Sequence, residues 1–291
     1  MFKTIKPFIK WAGGKSQLLN VIRDKYPAKI ERYCEPCVGG GAVLLDVLAN
    51  FQPQEVLIND INPELTNTYT QIRDNVETVI ELLADMQDRF WEMDIDERKE
   101  YYYSKRNRFN ELIKQSVSTV EKAALFIFIN KTCYNGLYRV NSKGFYNVPM
   151  GVYKKPLICD AKNIRLISGL IQGIRVQCGD YSECADFIND NTFVYIDPPY
   201  RPLSNTSSFT SYDKTEFGDE QQIQLGHFIE KISQKGAKIV ASNSDPKNTN
   251  VNDNFFDEIY KMFFVDRVVA TRMINSNSKR RGIISELLIS N

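Results

Sequence analysis

Short apolar runs alternate with amphipathic stretches along the chain, and this alternation predicts an α/β fold. The predicted strands are 32–35, 55–60, 174–178, 193–196 and 238–242, followed by β-type runs at 263–269 and 283–289. Amphipathic stretches at 42–50 and 219–234 predict helices between them. With 43% hydrophobic residues among 291, the chain can bury a large core, which favours one main domain with an insertion.

The insertion lies between the second and third predicted strands. Residues 61–173 separate them, whereas a simple strand–helix–strand unit needs about 30 residues. Helical patterns cover 65–75, 76–90, 96–113 and 119–130, and turn residues between β-type runs at 135–149 predict a hairpin. We therefore predict a main domain formed by 1–64 and 157–291, and an inserted domain at 65–156.

Basic residues are unevenly distributed, although the net charge of +1 does not by itself indicate a nucleic-acid-binding protein. Between 139 and 165 the single acid is Asp160. The basic residues of this stretch are Arg139, Lys143, Lys154, Lys155, Lys162 and Arg165, and a second basic cluster lies at 279–281. Most of the first cluster falls in the insert, which makes the insert the candidate surface for contact with a phosphate backbone.

Cysteine and histidine usage argues against a bound metal. Six cysteines are scattered along the chain, only Cys34 and Cys37 have the spacing of zinc ligands, and His227 is the only histidine. We therefore expect reduced thiols and no metal site. The chain has no signal-like apolar core and no apolar run of about 18 residues, so we expect a cytoplasmic protein that does not enter a membrane.

The segment Asp197-Pro198-Pro199-Tyr200 follows an apolar run and has the most specific chemistry. An exocyclic amine of adenine or cytosine is a poor nucleophile because its lone pair is delocalised into the ring. The Asp197 carboxylate and the Pro198 carbonyl can each accept one amine N–H, which exposes the nitrogen lone pair. The fixed φ of proline keeps that carbonyl rigid, and the Tyr200 ring can stack on a base. The segment predicts methyl transfer to an exocyclic amine; the ordinary alternative is a strand end and a turn with Tyr200 in the core.

A glycine-rich turn after the first predicted strand indicates a nucleotide-type cofactor. Gly39, Gly40 and Gly41 let the backbone approach a ligand at the start of the next helix. Asp60 ends the second predicted strand, where its carboxylate can accept hydrogen bonds from ribose hydroxyls. The turn does not match GxGxxG, which disfavours a nicotinamide enzyme.

Taken together with further segments, the chain resembles the DNA adenine methylase family (D12 class) of S-adenosylmethionine-dependent N6-adenine methyltransferases. The matching segments are KWAGGK (10–15), EPCVGGG (35–41), ND (59–60), YNGLYR (134–139), FYNVP (145–149), GDY (179–181) and DPPY (197–200), with further matches at 202–204 and 209–212. They follow the family's order over nearly the whole chain. The resemblance implies a Rossmann-like S-adenosylmethionine methyltransferase sheet with an inserted target-recognition domain of helices and a β-hairpin. It also implies S-adenosyl-L-methionine as cofactor and double-stranded DNA as partner.

The resemblance implies roles for individual residues. The catalytic positions are Asp197, Pro198, Pro199 and Tyr200. The cofactor-binding positions are Trp11, Lys15, Glu35, Cys37, Gly39, Gly41, Asp60, Asp180, Tyr181 and Asp197, with Cys37 standing where the family often has Phe. The DNA-binding positions are Lys10, Tyr134, Asn135, Leu137, Arg139, Pro149 and Tyr153.

Within the DNA-binding set, the resemblance implies that an adenine of GATC flips out of the duplex. Tyr134 is at the intercalating position, Asn135 contacts the orphaned thymine, and Arg139 reads guanine with two donors. The other positions contact thymine methyls (Leu137, Pro149), read the outer base pair (Lys10, Tyr153) or contact phosphates (Lys154, Lys155 and 279–281). The cofactor's methyl is already activated, so we expect direct in-line transfer without a metal or a covalent enzyme intermediate.

Two other classes of function stay open. The same Pro-Pro-aromatic chemistry serves cytosine N4, RNA adenine and protein glutamine, and a catalytically silent DNA-binding module is a further alternative against which the intact 197–200 segment argues. A housekeeping methylase and the modification enzyme of a restriction-modification system can share every segment named above. For assembly we expect a monomer in solution, with room for more than one copy on DNA.

Overall fold

The computed structural model describes residues 5–201, 217–271 and 283–291, and these residues contain a seven-stranded sheet. The strands are β1 (Arg32–Glu35), β2 (Glu55–Asp60), β3 (Arg175–Cys178), β4 (Thr192–Ile196), β5 (Lys238–Ser244), β6 (Phe264–Thr271) and β7 (Ile283–Ser290). They lie in the order β3-β2-β1-β4-β5-β7-β6. Strands β1 to β5 pair in parallel, whereas β7 is antiparallel to β5 and β6. The predicted α/β, Rossmann-like sheet is confirmed.

The helices agree with the predicted ones except at three places. They are α1 (Leu19–Arg23), α2 (Ala42–Phe51), α3 (Pro63–Asp74), α4 (Val76–Glu92), α5 (Ile95–Lys114), α6 (Val120–Thr132), α7 (Ala161–Leu170), α8 (Asp219–Gln234) and α9 (Phe255–Ile259). Helices α1, α7 and α9 were not predicted. For α7 a signal was present, because Asp160 caps the helix by accepting a hydrogen bond from the Asn163 backbone N–H at 3.2 Å. Over the described ranges, no helix combines the length and apolarity needed to cross a bilayer.

Both faces of the sheet are covered, which explains why its central strands are apolar throughout. Every residue of β4 is buried. Phe193 and Tyr195 point into one hydrophobic core, which also contains residues of α2 and α7. Val194 and Ile196 point into the other, with residues of α8 and α9. This alternation follows from the period of two residues along a strand.

The inserted helices pack around α6, and their apolar side chains join the hydrophobic core on one face of the sheet. Residues 122–130 are all buried, and α6 packs against α3, α4 and α5. The Lys122 ammonium is the one cation among them, and it lies 2.8 Å from the Glu64 carboxylate of α3. A helix that is apolar on all sides has to be enclosed, so α6 is the central helix of this bundle.

The predicted hairpin at 135–149 is present as a turn closed by single antiparallel bridges, not as two strands. Val140 pairs with Tyr146, and Cys133 pairs with Met150. The Tyr146 backbone is instead bonded to a side chain of α5. Asn110 accepts from Tyr146 N at 2.9 Å and donates to Tyr146 O at 3.0 Å. A side-chain amide therefore takes the place of a neighbouring strand.

The carboxyl ends of the parallel strands meet at one edge of the sheet. The glycine-rich turn follows β1, Asp60 ends β2, Asp180 lies just beyond β3 and Asp197 just beyond β4. The strand order reverses direction between β1 and β4, and such a switch point opens a crevice at the carboxyl edge. The fold thus brings these residues together although they are far apart in sequence.

Candidate active site

Asp197 is held by donors from two sides. The Lys15 ammonium donates to Asp197 Oδ2 at 2.8 Å, and the Ser242 hydroxyl of β5 donates to Oδ1 at 2.8 Å. Ser242 is itself bonded to the Tyr195 hydroxyl at 3.1 Å. The Lys15 ammonium also lies 2.8 Å from Oδ1, so Oδ2 is the oxygen with fewer donors around it. Asp197 is therefore oriented, and its Oδ2 can still accept a hydrogen bond from a substrate.

Tyr200 is anchored at its hydroxyl, which leaves its ring in a fixed position. The hydroxyl donates to Glu286 Oε2 of β7 at 2.8 Å, and the Lys15 ammonium lies 4.8 Å from the ring centroid. Burial, with the nearby charges of Asp197 and Glu286, raises the pKa of Tyr200 well above its usual value. The phenol therefore stays protonated, and Tyr200 can present an aromatic face to a ligand.

The turn at Pro199 is fixed by side chains of α8 and β5. The Gln222 side chain of α8 donates to Pro199 O at 3.0 Å, and Asn243 of β5 donates to Gln222 Oε1 at 2.9 Å. Both amides are buried. This chain of hydrogen bonds holds the backbone at Pro199, two residues after Asp197.

Asp60 joins the glycine-rich turn to the start of α3. Its carboxylate accepts from Gly39 N and from Asn62 N, each at 2.9 Å. Burial raises the pKa of Asp60 to about 6, although these two hydrogen bonds act in the opposite direction. A partly desolvated carboxylate at the end of a central strand is suited to accept hydroxyl hydrogen bonds from a ligand.

The glycine-rich turn lies against Trp11. Gly39 and Gly41 have φ of +49° and +72°, a region that favours glycine. A Cβ on Gly39 would lie 2.9 Å from Trp11 Cδ1, so the ring occupies the space that a side chain would need. The Tyr69 hydroxyl donates to Gly39 O at 3.0 Å and supports the turn from α3.

Glu35 and Cys37 lie beside the turn in different environments. Glu35 is buried, accepts from the Tyr33 hydroxyl at 2.7 Å and from the Leu44 backbone N–H, and has a pKa raised well above its usual value by burial. It therefore stabilises the first turn of α2. Cys37 is a half-buried free thiol whose pKa is also raised by burial, so it is a neutral thiol at this position.

Asp180 and Tyr181 form the rim of the crevice after β3. The Asp180 side chain accepts from Ser182 N at 2.9 Å and caps the short 3₁₀ helix Tyr181–Asp186. The Tyr181 ring packs edge-on against Phe228, with centroids 5.2 Å apart, and burial raises its pKa to about 12. Tyr181 is half-buried, so part of its ring is accessible to solvent.

The residues predicted to read DNA lie together on the turn that follows α6. Tyr134 is 48% exposed, and Asn135 adopts a left-handed conformation with φ of +57°. Tyr134 N donates to Pro149 O at 2.9 Å, which pairs the turn with the segment that follows the bridged loop. Arg139 is exposed, and its Nε donates to Asn147 Oδ1 at 2.8 Å. Leu137, between them, is half-buried.

Lys10 and Tyr153 are brought together from distant parts of the chain. The Lys10 ammonium lies 5.0 Å from the Tyr153 ring centroid, and the Lys10 side chain is exposed. Gly151 N donates to Thr132 O at 2.8 Å, which holds the Tyr153 segment beside the end of α6. The seven predicted DNA-binding positions thus occupy one region next to Trp11.

Residues 11–274 match the family described as D12 class N6 adenine-specific DNA methyltransferases. The chain belongs to this family. It is 45% identical to the Type II methyltransferase M.MjaIII of Methanocaldococcus jannaschii over 99% of both chains. It is 33% identical to the DNA adenine methylase of Escherichia coli K12, over 98% of this chain and 95% of that one. The chain is thus an adenine-specific DNA methyltransferase that uses S-adenosylmethionine, and the predicted family, enzyme class and cofactor are confirmed.

The residues of this methyltransferase fit that cofactor. Asp60 offers a carboxylate, the glycine-rich turn offers close backbone approach, and Trp11 offers an aromatic wall. Asn59 is buried with its Oδ1 free of any hydrogen bond in the described residues, while its Nδ2 donates to Pro36 O at 2.9 Å and to Gly179 O at 3.0 Å. Asn59 therefore ties the two loops that flank Asp60.

Several side chains that shape the methyltransferase's site were not predicted as site residues. They are Asn59, Gln222, Ser242, Asn243 and Glu286. Each is a polar residue inside or beside an apolar strand or helix, which is the one signal the sequence contained. The predicted basic cluster at 279–281 and the matching segments at 202–204 and 209–212 lie outside the described residues.

Proposed function

We propose that this DNA adenine methyltransferase modifies the adenine of GATC in double-stranded DNA. The observation that best supports the proposal is that the short segment 10–15 contacts both sets of residues. Lys10 is bonded to Asn130, which also bonds Gly136 in the turn of Tyr134 and Asn135, and Lys15 donates to Asp197 at 2.8 Å. One segment thus connects residues suited to read a duplex with a residue suited to activate an amine.

The proposed chemistry at the target amine uses this chain's own acceptors. The Asp197 carboxylate and the Pro198 carbonyl each accept a hydrogen bond from one N6–H group, which localises the lone pair on nitrogen. The Tyr200 ring stacks on the adenine, held by its hydrogen bond to Glu286. S-adenosylmethionine supplies a sulfonium-activated methyl group when bound, with Asp60, Trp11 and the glycine-rich turn as its proposed contacts. In this proposal, alignment of the amine with the methyl group provides most of the rate enhancement over the reaction in solution.

The target adenine has to leave the duplex before it can reach Asp197, because its amine is hidden in a base pair. We propose that Tyr134, which is 48% exposed, fills the gap and that Asn135 bonds the orphaned thymine. Arg139 donates to guanine O6 and N7 in the major groove. Leu137 and Pro149 contact thymine methyl groups.

The outer base pair and the phosphates complete the proposed contacts. Lys10 and Tyr153 read the outer pair, and Lys154 and Lys155 contact phosphates without specifying sequence. In this scheme residues 65–156 form the target-recognition domain, and 1–64 with 157–291 form the catalytic domain. The enzyme acts as a monomer in solution, and more than one copy can occupy a DNA molecule.

A mixed-sequence duplex tests the target directly. The duplex is incubated with enzyme and S-adenosylmethionine, and methylated adenines are mapped at single-base resolution. We expect methylation at GATC and little elsewhere. Methylation spread mainly over other sequences would overturn the GATC assignment, while N4-methylcytosine in the digested product would overturn the choice of base.

We also propose that the enzyme is the modification partner of a restriction endonuclease. The supporting observation is its 45% identity to a Type II methyltransferase, compared with 33% to a DNA adenine methylase. Deletion of the gene in its host provides the test. If an active endonuclease is present, the deletion is lethal unless the endonuclease gene is also removed. A viable deletion strain with unmethylated, uncut DNA would overturn this role.

A further inference from the structure

Asn130 uses its whole amide group to connect two separate segments of the chain. It lies in the last turn of α6 and is only 2% exposed. Its Oδ1 accepts from Lys10 N at 2.9 Å, and its Nδ2 donates to Lys10 O at 2.9 Å and to Gly136 O at 3.1 Å. The side chain thus bonds the backbone of Lys10 as a neighbouring strand would, and also bonds the turn after α6.

Both segments bear residues of the proposed DNA and cofactor contacts. Lys10 precedes Trp11, which lies against the glycine-rich turn. Gly136 follows Tyr134 and Asn135 in one turn. A Cβ on Gly136 would lie 2.6 Å from Lys10 Cδ, so the two segments are in direct contact where Asn130 joins them.

The three hydrogen bonds need an amide at this position. The two acceptors that face Nδ2 are carbonyl oxygens, so a carboxylate there would meet two like partial charges. An apolar side chain would leave Lys10 N–H and two carbonyls without these partners in a buried place. Asn130 is therefore needed for its hydrogen bonds as well as for its volume.

We propose that Asn130 is a positioning residue that sets the register between Lys10 and the turn of Tyr134 and Asn135. This inference rests on the proposed function, because it assumes that these residues contact DNA. Its consequence is specific: loss of the amide shifts Lys10 relative to Tyr134, and the enzyme loses discrimination at the outer base pair of GATC.

The test compares the wild type with Asn130→Asp, which has the same shape. The constants kcat and KM are measured on a GATC duplex and on duplexes in which each outer pair is replaced in turn. A misplacement of about 1 Å costs on the order of 100-fold in rate, so we expect kcat/KM on GATC to fall by at least about tenfold. We expect the preference for GATC over the substituted duplexes to fall by about tenfold as well.

Asn67→Asp provides the matched control. Asn67 is 4% exposed, and its Nδ2 donates at 3.1 Å to the backbone carbonyl of Thr119, which caps the first turn of α6, whereas Asn130 lies in the last turn of that helix. The same substitution there creates a similar buried charge against a carbonyl. We expect a comparable fall in melting temperature with the wild-type preference for GATC retained. Equal loss of preference in both variants would mean a general effect of instability and would overturn the inference.

A double-mutant cycle covers the case in which Asn130→Asp does not fold. Asn130→Ala, Lys10→Ala and the double variant are compared for preference at the outer pair. If Asn130 acts through Lys10, the two effects are not additive. If the wild type prefers GATC and the two effects on preference are fully additive, the inference about Asn130 is overturned and the GATC assignment stands. A wild type without that preference overturns the GATC assignment and this inference with it.

Discussion

At the residue scale, the Lys15 ammonium determines the environment of Asp197. Lys15 is 3% exposed, lies 2.8 Å from the Asp197 carboxylate and donates to Gly13 O at 2.6 Å. Glu286 is 3.8 Å away, so one buried cation is shared by two acids. A buried charge that loses its partner is costly, so changes to Asp197 affect Lys15 as well.

The first prediction concerns Asp197→Asn, which keeps the size of the side chain and removes its charge. We expect methyl transfer to duplex DNA to fall by about 100-fold or more, because the neutral amide oxygen is a weaker acceptor than a carboxylate and the ion pair with Lys15 that orients the side chain is lost. Binding of S-adenosylhomocysteine, measured by calorimetry, should be weakened but retained. Asp190→Asn, which changes an exposed acid before β4, should keep wild-type turnover. Wild-type turnover in Asp197→Asn would refute the role of Asp197.

A second prediction follows from Asp60, whose pKa burial raises to about 6. We propose that ionised Asp60 accepts the ribose hydroxyls of the cofactor, so cofactor affinity should weaken as pH falls through about 6. The free energy of unfolding depends on pH in the opposite direction. A raised carboxyl pKa stabilises the fold at low pH, and this contribution is lost as the pH rises through about 6.

Titration of S-adenosylhomocysteine from about pH 5 to about pH 8 measures the first effect, and denaturant unfolding over the same range measures the second. Asp60→Asn should bind more weakly and should flatten both profiles. An unchanged pH profile in Asp60→Asn would assign the dependence to another group.

At the scale of elements, the local hydrophobic pattern was enough to predict the helices and strands that are held by regular backbone hydrogen bonds. Strands β1 to β5 and helices α2 to α6 lie within a few residues of their predicted bounds. The loop predicted as a hairpin differs because Asn110, on α5, bonds Tyr146 in place of a strand. No local pattern connects those two positions, so a sequence alone cannot indicate that replacement.

The turn between β1 and α2 is the element with the tightest packing among the proposed cofactor contacts. The variant Gly41→Ala tests whether that packing matters. Gly41 has φ of +72°, and a Cβ there would overlap the Tyr69 hydroxyl that supports Gly39. We expect a loss of about 2–4 kcal/mol in the free energy of unfolding, from backbone strain and displacement of Tyr69. S-adenosylhomocysteine should also bind at least about tenfold more weakly.

Gly173→Ala is the matched control, because Gly173 has φ of +75° and no atom within 4 Å of the place that an alanine Cβ would take. It should lose about 1 kcal/mol from backbone strain alone, with unchanged cofactor binding. If both variants bind the cofactor as the wild type does, the contact of Tyr69 with the turn has no part in the cofactor site.

At the scale of the whole molecule, the site is assembled from strand ends that the sequence separates widely. Asp60 and Asp197 could be predicted at strand ends from the chain itself, and parallel pairing then brings those ends together. Ser242 and Glu286 could not be predicted as their neighbours, because β7 is inserted antiparallel beside β5. Which side chains face Asp197 depends on that strand order, and strand order is a property of the complete sheet.

The charge of the whole molecule leads to the last prediction. With a net charge of +1, any attraction to DNA has to come from local basic residues. Lys154 is exposed, and the Lys155 ammonium lies 4.5 Å from the Trp91 ring centroid. Lys154→Ala should therefore weaken binding to GATC and unrelated duplexes alike, and should reduce the slope of log K against log salt by about 0.9.

Fluorescence anisotropy over a salt series measures both quantities, with Lys231→Ala, an exposed lysine of α8, as the control that should leave the slope unchanged. Arg139→Ala should behave differently. It removes the proposed contact with guanine, so its loss of affinity should be confined to duplexes that contain GATC. A loss confined to GATC in Lys154→Ala would identify Lys154 as a base reader, because a phosphate contact has no means of distinguishing one sequence from another.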